Sequence, residues 1–130
     1  MPNPLVSVCI PTYRGAAFLA ATIDSVLHQS YPHFEVWILD DNSPDNTQEV
    51  VSRYADPRIN YIRNTKNLGP EGNWNRCLEL AQGKYFKLLP HDDLLASDCL
   101  EAQVAVLEED SAGEIALVFG SRQILSLIHI

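Results

Sequence analysis

Strand-like and helix-like segments alternate along this chain from Leu5 to Gly120. "LVSVCIP" (Leu5–Pro11) is short, apolar and β-branched, as a buried strand requires. "AAFLAATIDSVLHQS" follows with Leu19, Ile23, Val26 and Leu27 at helical spacing, and "YPHF" breaks it. "EVWILD" (Glu35–Asp40) reads as a second strand. "SPDNTQEVVSRYA" reads as a helix with Ser43 as N-cap and Pro44 at its first position. After the turn "DPR", "INYIR" (Ile59–Arg63) is a third strand. "NTKNLGPEG" reads as a loop. Trp74, Cys77, Leu78 and Ala81 then define one face of a short helix that Gly83 stops. "KYFKLL" (Lys84–Leu89) is a fourth strand, residues 97–109 a helix with Ser97 as N-cap, and "EIALVFG" (Glu114–Gly120) a fifth strand. The order βαβαβαβαβ predicts a Rossmann-like α/β fold, a mostly parallel sheet with helices on both faces.

A length of 130 residues suits one domain. Its 17 acids against 9 bases leave a net charge of −8. That argues against nucleic acid or an anionic membrane as a partner, since both need a basic patch. It suits a protein that collects a divalent cation. Cys9, Cys77 and Cys99 lack the close spacing of a zinc site and read as buried thiols of a reducing compartment. The first ten residues lack a basic segment followed by an apolar one, and no apolar run approaches the ~20 residues of a membrane span. A cytoplasmic location is expected. The apolar ending "SRQILSLIHI" (121–130) follows the domain pattern without a turn signal and is expected to be a truncation point or an appended sequence.

In an open parallel sheet, ligands bind at the carboxyl ends of the strands, where strand order reverses. Three polar clusters fall at such ends. The first strand ends in Pro11-Thr12-Tyr13-Arg14, the second in Asp40-Asp41-Asn42-Ser43, and the fourth in His91-Asp92-Asp93. The third and fifth end less tellingly, in Asn64-Thr65-Lys66 and Ser121-Arg122. Each cluster also has a structural reading. The first is then a plain strand-to-helix connection, the second a turn and helix cap. The third then caps a helix beginning near Leu94, where acids are favoured. His91 reads as a positioned neighbour rather than a metal ligand.

The first turn, "TYRGAAFL", has one glycine, so a dinucleotide fingerprint is absent, and so is a P-loop lysine motif. A phosphate ligand would need its charge met otherwise. A hard divalent cation on Asp carboxylates does this, and it also relieves the repulsion between Asp92 and Asp93. Arg14, Lys66, Arg76 and Lys87 are further cations whose place relative to the rim is open.

"VSVCIPTYRGAAFLAATIDSVLHQSYPHFEVWILDDNSPDNT" closely resembles the opening of family 2 glycosyltransferases of the GT-A type. "NLGPEGNWNRCLELAQGKYFKLLPHDD" is similar to the family's later loop, helix and strand ending in a D-x-D-type acidic motif. The resemblance covers residues 5 to 120. It implies that residues 1–120 are the nucleotide-sugar-binding half of a GT-A domain. Pro11, Thr12 and Tyr13 would line the base pocket. Asp41 would hydrogen-bond the base, with Asp40 in support. Asn73 and Asp92 would contact the donor, and Asp93, with Asp92, would hold Mn²⁺ or Mg²⁺ on the diphosphate. The implied reaction is metal-dependent, inverting transfer from a nucleoside diphosphate sugar, UDP-linked, to an acceptor hydroxyl. The catalytic base would lie in an acceptor half that this chain lacks, so the chain alone is expected to be inactive.

Three positions depart from the family pattern. Arg14 stands where Asn is usual, Pro90 replaces the first Asp of the commoner "LDxDD" form, and Trp74 stands where many members have Arg. Two other readings compete. One is a non-catalytic sugar-nucleotide-binding or scaffold protein of the same fold. The other is a receiver-like, Mg²⁺-binding signalling domain. That would need its acidic pair after the first strand and a phospho-accepting Asp after a later one.

Overall fold

A computed structural model describes residues 4–109. The predicted fifth strand, Glu114–Gly120, and the 121–130 ending lie outside them. Four strands, β1 (Val6–Thr12), β2 (Phe34–Asp40), β3 (Ile59–Arg63) and β4 (Tyr85–Leu88), alternate with four helices, α1 (Ala16–Leu27), α2 (Thr47–Ser52), α3 (Gly69–Leu80) and α4 (Cys99–Glu108). The strands form one all-parallel sheet in the order β3-β2-β1-β4.

The chain lays β2 and β3 on one side of β1 and then returns to place β4 on the other. The order reverses at β1, and a ligand crevice is expected outside the carboxyl ends of β1 and β4. A receiver-type order would set β3 beside β1. Here β3 pairs with β2, which removes the receiver reading.

Alternation along the strands divides the core. Val6, Val8 and Ile10 of β1 join Val36 and Ile38 of β2 on one face. They pack with Leu19, Ile23 and Val26 of α1, Val50 and Val51 of α2, and Leu100 and Val104 of α4. Cys9 and Leu39 point to the other face and meet Cys77 of α3. Cys9 Sγ lies 3.8 Å from the Cys77 carbonyl oxygen. Its contact with Cys77 and its burial push the Cys9 thiol up, as expected of an inert core cysteine. Cys99, by contrast, is half-buried.

Three helix starts differ from the sequence expectation. α2 begins at Thr47, not after Ser43, because Ser43 is drawn elsewhere: its Oγ accepts from Arg14 N at 3.0 Å and its N–H donates to Asp40 Oδ1 at 2.8 Å. α4 begins at Cys99 with Asp98, not Ser97, at the N-cap. No helix starts near Leu94, so the cap reading of His91-Asp92-Asp93 fails. α3 begins at Gly69, inside the expected loop, with Pro70 in its first turn. Its face is also turned by one residue. Asn73 and Cys77 are buried, whereas Trp74 and Leu78 are exposed. α3 ends at Leu80, before Gly83. Gly83 serves close approach instead: a Cβ there would lie 2.6 Å from Leu5 O and 2.8 Å from Ser7 N.

A small latch ties the entry of β4 to β1 and β2. Gly83 N–H donates to Ser7 Oγ (2.7 Å), which donates to Glu35 Oε2 (2.6 Å). The same carboxylate oxygen accepts from Gln82 N–H at 2.8 Å. Burial works to raise the Glu35 carboxyl, but the hydrogen bonds from Ser7 and Gln82 outweigh it and hold it below the usual range. A carboxyl lowered by folding stabilises above its unfolded value of about 4.3, and that contribution fades as pH falls through the folded value. Denaturant midpoints measured from pH 6 to pH 3 should therefore drop below about pH 4.5. The drop should be smaller in Glu35→Gln; an equal drop would remove Glu35 from the acid response.

Candidate functional site

A cavity of about 350 Å³ opens at the reversal point of the sheet. Pro11, Thr12 and Tyr13 form its wall from the end of β1, Asp41 from the end of β2, and Pro90 and His91 from beyond β4. Asn67, Gly69, Pro70, Asn73 and Trp74 close it from α3 and the loop before it. All three predicted clusters thus meet at one crevice. Tyr13 is 41% exposed and Trp74 45%, so two large rings stand at the mouth of the cavity.

Asp41 is its one carboxylate, and it is buried. Oδ1 accepts from Asn64 Nδ2 (2.9 Å) and Leu68 N–H (2.7 Å), and Oδ2 from Gly69 N–H (2.9 Å). A carboxylate has about four acceptor positions, so one remains. Gly69 has φ +82°, a conformation suited to glycine, which aims its N–H at Asp41. Asp40 is fully buried and does not line the cavity. Its carboxylate accepts from Ser43 N–H and Tyr61 O–H. Burial and the bond to Asp40 raise the Tyr61 hydroxyl, which stays protonated. Asp40 therefore shapes the turn that presents Asp41.

Asn73 lines the cavity, but its amide is engaged. Nδ2 donates to Leu39 O and Oδ1 accepts from Asn64 Nδ2, both at 2.9 Å. Asn64 is the residue that sequence reading passed over. Buried at the end of β3, it donates to Asp41 and Asn73 and accepts from Arg76 Nη1 at 3.0 Å. Its position directly after a strand, on the ligand-binding edge, was the available signal.

The turn after β4 is held from α1. Thr22 Oγ1 lies 2.7 Å from His91 O and 2.8 Å from Asp93 O. Asp93 N–H donates to Pro90 O (3.0 Å), closing the turn. The His91 ring packs on Gly15, where a Cβ would sit 2.7 Å from His91 Cγ and 2.5 Å from Thr12 Oγ1. The single glycine of the first turn is thus a seat for His91. Thr12 lines the cavity, and its Oγ1 is buried without a hydrogen-bond partner among the described residues.

Asp92 and Asp93 are half-buried beside His91, just outside the cavity lining. Neither forms an ion pair among the described residues. No group of three or more His, Cys, Asp or Glu side chains among those residues is arranged to hold a metal by itself. Two adjacent, unpaired carboxylates are hard oxygen donors. They fit Mg²⁺ or Mn²⁺ if the remaining ligands come from a diphosphate and water.

A parallel sheet with its reversal point at β1, an apolar cavity there with one carboxylate edge, and an acidic pair directly after the cavity residue His91 define an α/β nucleotide-binding domain. The sequence matches the Glycosyl transferase family 2 profile over residues 7–125. It is 40% identical over 111 residues to TuaG of Bacillus subtilis, assigned by its name alone to teichuronic acid biosynthesis as a glycosyltransferase; 84% of this chain and 44% of TuaG are covered. It is 32% identical over 126 residues to WfgD of Escherichia coli, a UDP-Glc:alpha-D-GlcNAc-diphosphoundecaprenol beta-1,3-glucosyltransferase; 97% of this chain and 49% of WfgD are covered. The mannosyltransferase PcManGT of Pyrobaculum calidifontis, solved with GDP-Man and Mn²⁺, superposes with a TM-score of 0.78 at 29% identity, covering 85% of this chain and 34% of that one. The chain belongs to glycosyltransferase family 2, and its fold is the α/β fold of the GT-A enzymes. It spans less than half the length of these curated relatives. No described helix is long and apolar enough to cross a membrane.

Proposed function

We propose that residues 1–120 bind the donor of an enzyme that moves a sugar from a UDP-sugar to an acceptor hydroxyl with inversion, at the cytoplasmic face of a membrane. The observation that carries this reading is the cavity between Tyr13 and Asp41, whose wall includes His91, the residue directly before the Asp92-Asp93 pair. The flat apolar walls suit a nucleobase. The one free acceptor position on Asp41 complements the imide N–H of uracil, whereas cytosine presents an acceptor at that ring position. WfgD, by its name, uses UDP-glucose, and TarS of Staphylococcus aureus has been solved with UDP-GlcNAc, at 28% identity and a TM-score of 0.76, covering 80% of this chain and 31% of that one. Relatives named for teichuronic acid and for a diphosphoundecaprenol acceptor favour a role in surface polysaccharide synthesis.

Asp93 and Asp92 would hold Mn²⁺ or Mg²⁺. Such an ion offsets charge on the leaving diphosphate when bound. Pro11, Thr12 and Tyr13 hold the base, Asp41 orients it, and Asn73 and Asp40 keep Asp41 and its turn in place. The base that deprotonates the acceptor belongs to an acceptor-binding half, so this 130-residue chain alone binds donor without transferring it.

Calorimetry on the 130-residue chain tests the reading. UDP should bind at least about tenfold more tightly with Mn²⁺ than without, and Asp93→Asn should abolish that difference. Absence of UDP binding under both conditions overturns the proposal, and sugar transfer by this chain overturns its inactivity.

A further inference from the structure

We infer that Arg14 supplies the protein cation that meets the donor's diphosphate, an inference that rests on the donor-site reading above. The cavity wall contains no lysine or arginine. A divalent ion between Asp92 and Asp93 is neutralised by them, which leaves the diphosphate's own charge unmet. The chain as a whole, at net −8, does not supply a positive field.

Most described cations are already engaged. Arg53, Arg58 and Lys84 sit in ion pairs with Glu49, Asp56 and Glu108. Arg63 donates to Asn42, Gln48 and the Ser43 carbonyl. Arg76 donates inward to Asn64. Lys66 lies in the loop after β3, and Lys87 lies within β4 opposite Val8. No cation, Arg14 included, lines the cavity itself, and neither Lys66 nor Lys87 stacks on a ring of its wall.

Arg14 differs from all of these. Its guanidinium stands 5.3 Å from the centroid of the Tyr13 ring, and Tyr13 is a wall of the cavity. It is exposed and has no carboxylate partner among the described residues. Stacking on an aromatic ring leaves the N–H edges of a guanidinium free, and they match two phosphate oxygens at once. Its backbone is strained: φ is +56°, a left-handed conformation that Gly or Asn adopts more readily. Ser43 Oγ accepts the Arg14 N–H at 3.0 Å and pins that turn. A strained residue held at the mouth of a ligand cavity is the pattern of a functional position.

The test compares UDP with uridine, which has the same base and no phosphate, on the 130-residue chain with Mn²⁺. Calorimetry follows UDP, and NMR shift titration follows uridine. Arg14→Asn should weaken UDP by about tenfold or more, as loss of a charge-assisted hydrogen bond implies, with uridine unchanged within about twofold. The same variant should melt higher, because strain is relieved. Arg14→Lys should retain part of the UDP affinity, being a point charge without the fork. UDP affinity of Arg14→Asn within about twofold of the parent overturns the inference and leaves the donor site standing. An equal loss for uridine and UDP also overturns it, since that marks a structural effect. If the parent chain binds no nucleotide, the donor-site reading falls and the inference with it.

Discussion

Asn64→Leu should lower stability by roughly 3–5 kcal/mol and the melting temperature by about 10–20 °C. Leucine keeps the branched four-heavy-atom skeleton of asparagine, but its methyl groups are bulkier than the amide, so some overpacking adds to the polar loss. Asn64 is 2% exposed and makes three side-chain hydrogen bonds, to Asp41, Asn73 and Arg76. Removing it leaves Asn73 Oδ1 buried with no donor and takes one of three donors from the Asp41 carboxylate. Each buried group so stranded costs about 1–3 kcal/mol, more when charged. UDP affinity should fall by at least about tenfold, because Asp41 loses its orientation. Thr65→Ala, at the exposed next residue, is the control and should stay within about 0.5 kcal/mol of the parent. Urea unfolding with an unchanged slope measures both; a loss under about 1 kcal/mol for Asn64→Leu would show that the network contributes little.

Gly15→Ala should cost about 1–3 kcal/mol and weaken the Mn²⁺-dependent part of UDP binding by about tenfold. The effect is steric, not conformational. Gly15 has φ −95°, which alanine adopts freely. The added Cβ, however, would lie 2.5 Å from Thr12 Oγ1 and 2.7 Å from His91 Cγ. Something must move, and the turn carrying Asp92 and Asp93 is what the His91 ring braces. Adding His91→Ala to Gly15→Ala should recover part of the stability, a coupling read from the double-mutant cycle. Additive effects in that cycle, or Mn²⁺-assisted binding unchanged in Gly15→Ala, would detach the acidic turn from this packing.

Much of the fold was legible because it depends on short-range pattern. The apolar runs at Leu5–Pro11, Glu35–Asp40 and Ile59–Arg63 each lie within a residue of an observed strand. Helix starts were less legible, because capping residues compete for partners that sequence does not show. Ser43 is a good N-cap by type, yet it serves Arg14 and Asp40 instead. Trp74 and Leu78 completed an apolar stripe on paper. In the folded chain two hydrogen bonds draw Asn73 inward and turn that stripe toward solvent and the cavity.

The sequence alone determined the alternating architecture, the three polar clusters at strand ends and the likeness to family 2. These follow from periodicity and from residue types at set intervals, which survive without coordinates. The tertiary structure decided which acids are occupied. Asp40 and Asp41 look alike in "LDDNS", but one is sealed against Ser43 and Tyr61, while the other keeps a single acceptor position facing a cavity. It also singled out Arg14 among the cations, gave Gly15 its role and brought Asn64 into the site. Each of these rests on contacts between residues distant in sequence, formed only when the sheet order brings their strand ends together.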